Sequence, residues 1–329
     1  MILITGAAGY IGSHTTAQLV DAGQKLVCLD NFYSGHRWAI PKEAMLVEGD
    51  IRDSALIRKL IRDYGITSVI HFAAHIEVEE SVSHPLKYYS NNTAGSLSLI
   101  SACHEEGVKK LIFSSTAAVY GNPREIPITE DSPLEPVNPY GRSKLMTERM
   151  LQDLSQSSSF RYVALRYFNV AGARADSRLG EAPHTATHLI TVACQVACGK
   201  RPLLKIYGTD YPTPDGTCVR DYIHVEDIAG AHLLALKYLE EGGQSCALNC
   251  GYGHGYSVQE VINAFREASG ADFKVETAER RPGDPAILIA NNDKIRRVLG
   301  WKPQYDDIRL ICKTAYQWEK KLQSGVIHD

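Results

Sequence analysis

The chain has 329 residues, 44% of them hydrophobic and 22% charged, with a formal net charge of −3. That size accommodates one large α/β domain or two, and the absence of a basic run argues against nucleic acid, whose phosphates demand clustered Lys and Arg. No stretch approaches the ~20 apolar residues that cross a bilayer, and the first residues form no basic, cleavable leader, so a cytoplasmic protein is expected.

Short apolar runs at 1–5, 25–30, 45–48, 68–72, 110–114 and 162–166 alternate with helical patterns. Ile2, Leu3 and Ile4 are consecutive, as are Leu26 to Leu29, which fits strands buried on both faces of a parallel sheet. Ile11, Thr15, Leu19 and Ala22 recur at helical spacing, and Gly23 stops that helix. Repeated βα units predict an α/β fold, a doubly wound parallel sheet of Rossmann type, over residues 1–170. Beyond about residue 170, Gly, Pro and Asp become denser, and helical patterns return at 185–198, 227–241, 257–269, 292–299 and 308–323. A smaller C-terminal α/β domain is expected over 171–329. The apolar run 246–251 is expected to rejoin the first sheet, so that about 219–251 belongs with it. Of the eight cysteines, Cys28, Cys103, Cys194, Cys198 and Cys246 have apolar neighbours. The pairs Cys194/Cys198 and Cys246/Cys250 have neither redox nor zinc spacing, so free thiols in a reducing compartment are expected.

Gly6, Gly9 and Gly12 follow the first predicted strand and open the first helix. The first glycine permits a tight turn, the second lets backbone approach a pyrophosphate, and the third allows close helix–strand packing. The phosphates would meet the free N–H groups at the helix start. Asp30 ends the second strand, where a carboxylate accepts hydrogen bonds from ribose hydroxyls and repels a 2′-phosphate, favouring NAD over NADP. Arg37 argues the other way. Asp50 ends the third strand and is a candidate for the adenine edge.

Asn138-Pro139 reads as a helix start, which puts Tyr140 and Lys144 on one face at i and i+4. A free phenol has a pKa of about 10, too high for a base near neutrality. A neighbouring ammonium, and the positive ring of NAD⁺, would lower it toward the range of a general base. Ser114-Ser115-Thr116 ends a strand at the carboxyl edge where such sheets bind ligands, and a hydroxyl there can donate to a reacting oxygen.

These segments resemble the extended short-chain dehydrogenases/reductases and, within them, closely the UDP-glucose 4-epimerase family. The likeness is carried by Gly6–Gly12, the run from Phe113 to Gly121, Tyr140–Lys144, Arg166-Tyr167-Phe168-Asn169, the run from Asp215 to Val225, and Arg280-Arg281-Pro282-Gly283-Asp284. The resemblance implies an NAD-dependent isomerase. Tyr140 takes the proton of the sugar 4-hydroxyl while hydride leaves C4, a 4-keto sugar turns its other face, and hydride returns with no net oxidation. A 4-epimerase for UDP-N-acetylhexosamines or UDP-pentoses, or another NAD-dependent nucleotide-sugar oxidoreductase, is the alternative. Ala117-Ala118 stand where related 4,6-dehydratases carry Asp and Glu, which disfavours dehydration.

By the same resemblance, Thr116, Tyr140 and Lys144 are catalytic. Tyr10, Ile11, Asn31, Asp50, Ile51, Phe72, Ala73, Ala74, Asn91, Ser114, Tyr167 and Phe168 join Gly6, Gly9, Gly12 and Asp30 at NAD. Asn169, His188, Leu189, Tyr207, Arg220, Arg281, Asp284 and Leu288 join Thr116 at the UDP-sugar. Arg220 and Arg281 suit a diphosphate, and Leu288 falls on a variable wall of the sugar pocket. Ile76 stands where some family members place a Lys near the cofactor. The histidines, His14, His71 and His224 among them, form no spaced metal set. A homodimer is implied, built by helices at 85–106 and 140–156, with Leu97, Leu99, Leu145 and Met146 as candidates for its contacts or equally for the internal core.

Overall fold

Six strands alternate with helices through the first half of the computed structural model, which describes residues 1–281 and 283–325. They are β1 (Ile2–Thr5), β2 (Leu26–Asp30), β3 (Met45–Glu48), β4 (Ser68–His71), β5 (Lys110–Thr116) and β6 (Arg161–Tyr167). The strand Cys246–Cys250 pairs parallel to β6 and completes a seven-stranded sheet in the order Cys246–Cys250, β6, β5, β4, β1, β2, β3. Its sides form two apolar cores because successive side chains point to opposite faces. Ile2, Ile4, Cys28, Ile70 and Ile112 pack on one side, and Leu3, Val27, Leu29, Val69 and Leu111 on the other. The strand order reverses between β1 and β4, and the crevice outside the carboxyl ends at such a reversal is where these sheets bind ligands.

Shorter strands build the other lobe. Leu204–Tyr207 pairs with Val275–Ala278, and Val219–Arg220 lies between Tyr256–Ser257 and Ile287–Leu288. Tyr222–His224 pairs with Asn169–Ala171. Three boundaries differ from the sequence reading. β5 runs on to Thr116, because Ser115 and Thr116 find partners in Arg166 and Tyr167 of β6. The helix expected at 185–198 is Leu189–Ala197, since Thr187 and His188 turn their side chains to Glu77 and Glu181 instead. The helix expected at 85–106 contains a π turn, Tyr89–Ala94, between Pro85–Tyr88 and Gly95–Glu105, and such turns favour functional sites. All eight cysteines are free, and among the described residues no helix is long and apolar enough to cross a membrane. Pro282, within one of the motifs quoted above, lies outside the described residues.

Four histidines are core residues. His71 bridges Thr5 Oγ1 (2.7 Å) and Ser96 Oγ (2.8 Å), and His232 lies against Tyr167 and the Ile228 carbonyl. Burial lowers His14 and His232 from 6.5 to about 4, and His71 and His224 to about 3. Each is neutral in the fold but takes a proton in the unfolded chain below about pH 6.5, so stability is complete above that pH and lost as pH falls toward 4. Asp221, lifted to about 6 by burial, opposes this, as do Asp30, Glu226 and Asp227, which burial also raises. Chemical unfolding should therefore show stability declining from pH 6.5 to pH 4. A stability that stays level or rises on acidification contradicts this account.

Candidate active site

The glycine turn is shaped by contacts that tolerate no side chain at two of its three glycines. Gly6 has φ +70°, and a Cβ there would lie 2.5 Å from the Ala73 nitrogen. A Cβ on Gly12 would lie 2.1 Å from the Gly6 carbonyl oxygen. Gly9 differs: its Cβ would meet no protein atom closer than Gly6 O at 3.4 Å, which leaves its outer side open. Gly9 caps the helix Tyr10–Asp21 with no side-chain bond, and the first N–H groups of a helix have no carbonyl ahead of them. The turn therefore offers an open floor lined with donors, which fits a dinucleotide pyrophosphate. Asp30 faces the same turn. Its carboxylate accepts from Ala8 N and Phe32 N, both at 2.8 Å, and burial raises its pKa while these bonds oppose the rise.

Other expected cofactor residues are placed less directly. Asp50 gives both carboxylate oxygens to Arg52 (2.8 Å each), and accepts from Asn31 Nδ2 at 2.9 Å. The Arg52 guanidinium thus holds Asp50 well below the usual carboxylate range. Arg37 is paired with Glu48 and lies over the Phe32 ring at 4.2 Å. The Tyr10 hydroxyl is turned away to the Gly172 carbonyl, at 2.5 Å. Ile51 is buried, Phe72 packs on His232, and Asn91 Nδ2 donates to Asn92 Oδ1 at 3.1 Å. Ala74 is partly exposed, and Ile76 is 52% exposed. Tyr167 is buried, with its hydroxyl beside Ser114 and His232.

The helix Pro139–Ser157 starts as its sequence suggests, with Asn138 Oδ1 accepting from Gly141 N at 2.8 Å. Its first turns bring Tyr140 to the Thr116 hydroxyl at the end of β5. One turn on, Lys144 is buried and donates from Nζ to the Ser114 carbonyl at 2.8 Å. The expectation of a phenol lowered by Lys144 is not met in the protein alone. Burial raises Tyr140 above 10, Thr116 works against that rise, and the charge of Glu77 adds to it. Burial also brings Lys144 from 10.5 to about 7, with Glu148 holding it up. The helix carries both groups at i and i+4, but desolvation dominates each shift, and the charges acting beside it are Glu77 on Tyr140 and Glu148 on Lys144.

Glu148 was not foreseen. It lies one turn beyond Lys144, takes the Ser115 hydroxyl, and forms a buried ion pair with Arg166 at 2.6 Å. Arg166 NH1 donates to the Tyr120 hydroxyl at 2.8 Å, and that hydroxyl donates to Asn249 Oδ1 at 2.6 Å. The i+4 spacing from Lys144 was the available signal. Asn92 was also missed; its side chain clamps the His75 backbone (2.8 and 3.0 Å) and Ser143 Oγ (3.1 Å).

The expected substrate residues other than Thr116 lie outside the large sheet. Arg220 is buried and pairs with Asp284 at 2.7 Å. The Arg281 guanidinium lies over the Tyr207 ring at 4.1 Å. His188 caps the helix Leu189–Ala197 and pairs with Glu181 at 2.6 Å, a carboxylate that raises it to about 9. Asn169 pairs with Tyr222, and Leu189 packs on the main core. Leu288 packs in a small apolar cluster with Ala117, Phe168 and Ala290. Among the described residues no group of His, Cys, Asp and Glu could hold a metal ion.

Known proteins are similar to this chain over nearly their whole length. The NAD dependent epimerase/dehydratase family matches residues 2–251. The UDP-glucose 4-epimerase of Azospirillum brasilense is 54% identical over 325 residues, 99% of this chain and 93% of that one. The crystal structure of UDP-glucose 4-epimerase from Brucella ovis, in complex with NAD, superposes with a TM-score of 0.94 at 44% identity, covering 97% of this chain and 98% of that one. The UDP-Glc/GlcNAc 4-epimerase of Campylobacter jejuni superposes with a TM-score of 0.86 at 51% identity, covering 97% and 99%. Likeness of this extent, on the sheet order and glycine turn described above, makes the chain a member of the NAD dependent epimerase/dehydratase family.

Proposed function

We propose that the chain interconverts UDP-glucose and UDP-galactose by NAD-dependent epimerisation at C4, with no net oxidation. The observation that carries this reading is the meeting of the Tyr140 phenol and the Thr116 hydroxyl at the end of β5, with Lys144 one turn away. NAD, when bound on the glycine turn, supplies the acceptor and then the donor of the C4 hydride, and a positive ring that favours the phenolate. Tyr140 takes the proton of the 4-hydroxyl, and Thr116 hydrogen-bonds the same oxygen. The resulting 4-keto sugar turns about its link to the diphosphate, which Arg220 and Arg281 hold. Tyr140 then returns its proton with the other face presented. Ala117 and Ala118 carry no acid or base, so elimination of water has no agent there. We assign residues 1–170, with the helix Val225–Glu240 and the strand Cys246–Cys250, to the cofactor half, and the other segments of 171–329, Val219–Arg220 among them, to the sugar half. Eight free thiols favour a reducing cytoplasm.

Leu288 and its cluster wall the sugar pocket in this reading, and the second reading is a 4-epimerase for UDP-N-acetylhexosamines or UDP-pentoses. Purified protein should interconvert UDP-glucose and UDP-galactose without added cofactor, read by proton NMR of the anomeric region, with UDP-N-acetylglucosamine and a UDP-pentose compared in parallel. Steady accumulation of NADH would instead mark a net oxidoreductase, and unchanged spectra for every sugar would reject both epimerase readings.

Tyr140→Phe should lower turnover by a factor on the order of 10²–10⁴ while NAD remains bound. The phenolate absorbance that separates wild type from this variant should titrate above pH 10 in cofactor-free protein and at lower pH once NAD is added. A phenol that already ionises below pH 10 without NAD runs against the burial argument.

A homodimer is the proposed assembly. Leu97 and Met146 are 50% and 45% exposed on the helices Gly95–Glu105 and Pro139–Ser157, more than isolated core residues would be. Sedimentation should give twice the chain mass of 36.3 kDa, and Leu97→Asp with Met146→Asp should restore the single-chain mass. A wild-type chain that sediments alone excludes the dimer.

A further inference from the structure

The glycine turn is held between two flanks that meet again beyond it. On one side, Phe72 and Ala73 press so closely that Gly6 admits no Cβ. On the other, the loop after β2 packs on Ala8: His36 N donates to the Ala8 carbonyl at 3.1 Å, and a Cβ on Gly35 would lie 2.7 Å from the Ala8 side chain. Tyr33, from that loop, reaches the opposite flank. Its ring sits edge-on to His75 with centroids 4.7 Å apart, and its hydroxyl accepts from Lys87 Nζ at 2.7 Å.

Both ends of this bridge are anchored. Asp30 and Asn31 accept from the backbone N–H groups of Phe32 and Tyr33, which turns the loop and projects the Tyr33 ring. Asn92 clamps the backbone of His75, and Glu80 holds Lys87 Nζ at 2.5 Å. The bridge itself lies near solvent, with Tyr33 56% exposed and the Lys87 and Glu80 side chains 31% and 34% exposed. Such contacts are individually weak and open locally at low cost.

We infer that Tyr33, His75 and Lys87 form a clasp across the dinucleotide cleft, and that bound NAD leaves only when the clasp parts. This rests on the reading that NAD lies along the glycine turn with a ribose at Asp30. A dinucleotide in that position is ringed by the turn, its two flanks and the Tyr33 bridge. The clasp touches neither the phenol nor the sugar site, so it governs retention of the cofactor rather than the proton transfer. It also suits a reaction that regenerates its cofactor in each cycle and gains nothing from releasing it.

The test is the rate of NAD release from the loaded protein. Excess NADH is mixed with NAD-loaded wild type, Tyr33→Phe, Tyr33→Ala and Lys87→Met, and its fluorescence on entering vacated sites gives the rate. Tyr33→Ala removes the ring contact and the Lys87 acceptor together and should speed release about tenfold or more. Tyr33→Phe keeps the ring and should fall between Tyr33→Ala and wild type, and Lys87→Met should behave like Tyr33→Phe. Melting curves of the cofactor-free variants should match wild type, which separates a clasp from a general loosening of the fold. Release rates within about twofold of wild type in both Tyr33→Ala and Lys87→Met would overturn the clasp while leaving NAD binding intact. Failure of the wild-type protein to bind NAD or NADH at all would overturn the underlying reading of the cleft as well.

Discussion

Lys144 carries an ammonium group to a place that water barely reaches, at the end of β5, where it donates to the Ser114 carbonyl. Burying a charge is costly unless it is hydrogen-bonded and its field is answered. Here the answer is Glu148 on the next turn of the same helix, and Glu148 is itself a buried charge. It is met by Arg166 from β6 and by the Ser115 hydroxyl from β5. Arg166 passes the chain of bonds to Tyr120, and Tyr120 to Asn249 on the strand at the edge of the sheet. One helix is thereby tied to three parallel strands through charges that cannot be left alone. Removing one partner from such a network leaves an uncompensated charge, which is far worse than never having had the pair. The result is a rigid setting for Tyr140 and Thr116, which stand on the two elements being joined.

The smaller lobe handles charge differently. Arg220 is neutralised by Asp284, His188 by Glu181, and Arg281 covers the Tyr207 ring. On the proposed reading, a nucleotide diphosphate arriving there would meet cations already held in position by acids or an aromatic face. Those partners restrain the long side chains before the ligand comes, so less conformational freedom is lost on binding. On the proposed reading the two lobes divide the work, with the charges around Lys144 fixing the reacting groups and Arg220 and Arg281 receiving the substrate.

Much of the cofactor end was legible in the sequence because its determinants are local. Three glycines between a strand and a helix specify a turn by sterics that involve neighbouring residues, and Asp30 follows from where the second strand stops. The helix at Tyr140 was legible for the same reason, since Asn138 and Pro139 signal its start within one turn. Reading failed where a distant segment decides. Residues 185–188 carry a helical pattern, yet Thr187 and His188 are drawn out by Glu77 and Glu181. The strand β5 looked shorter because polar Ser115 and Thr116 give no apolar signal, while their pairing with β6 is decided by the sheet.

The sequence by itself determined the class of fold, the glycine turn between the first strand and helix, the i and i+4 placing of Tyr140 and Lys144, and the presence of hydroxyls at the end of β5. These are consequences of period, spacing and side-chain size, which act over a few residues. Tertiary structure alone decided the surroundings of the ionisable groups: a phenol raised above 10 by burial, an ammonium brought to about 7, and a buried carboxylate paired with Arg166. Desolvation is a property of everything packed around a group, and most of what surrounds Tyr140 and Lys144 comes from segments far away along the chain. The meeting of Tyr33 with His75 and Lys87 belongs to the same category, because only the parallel sheet brings the loop after β2 within reach of the segment after β4.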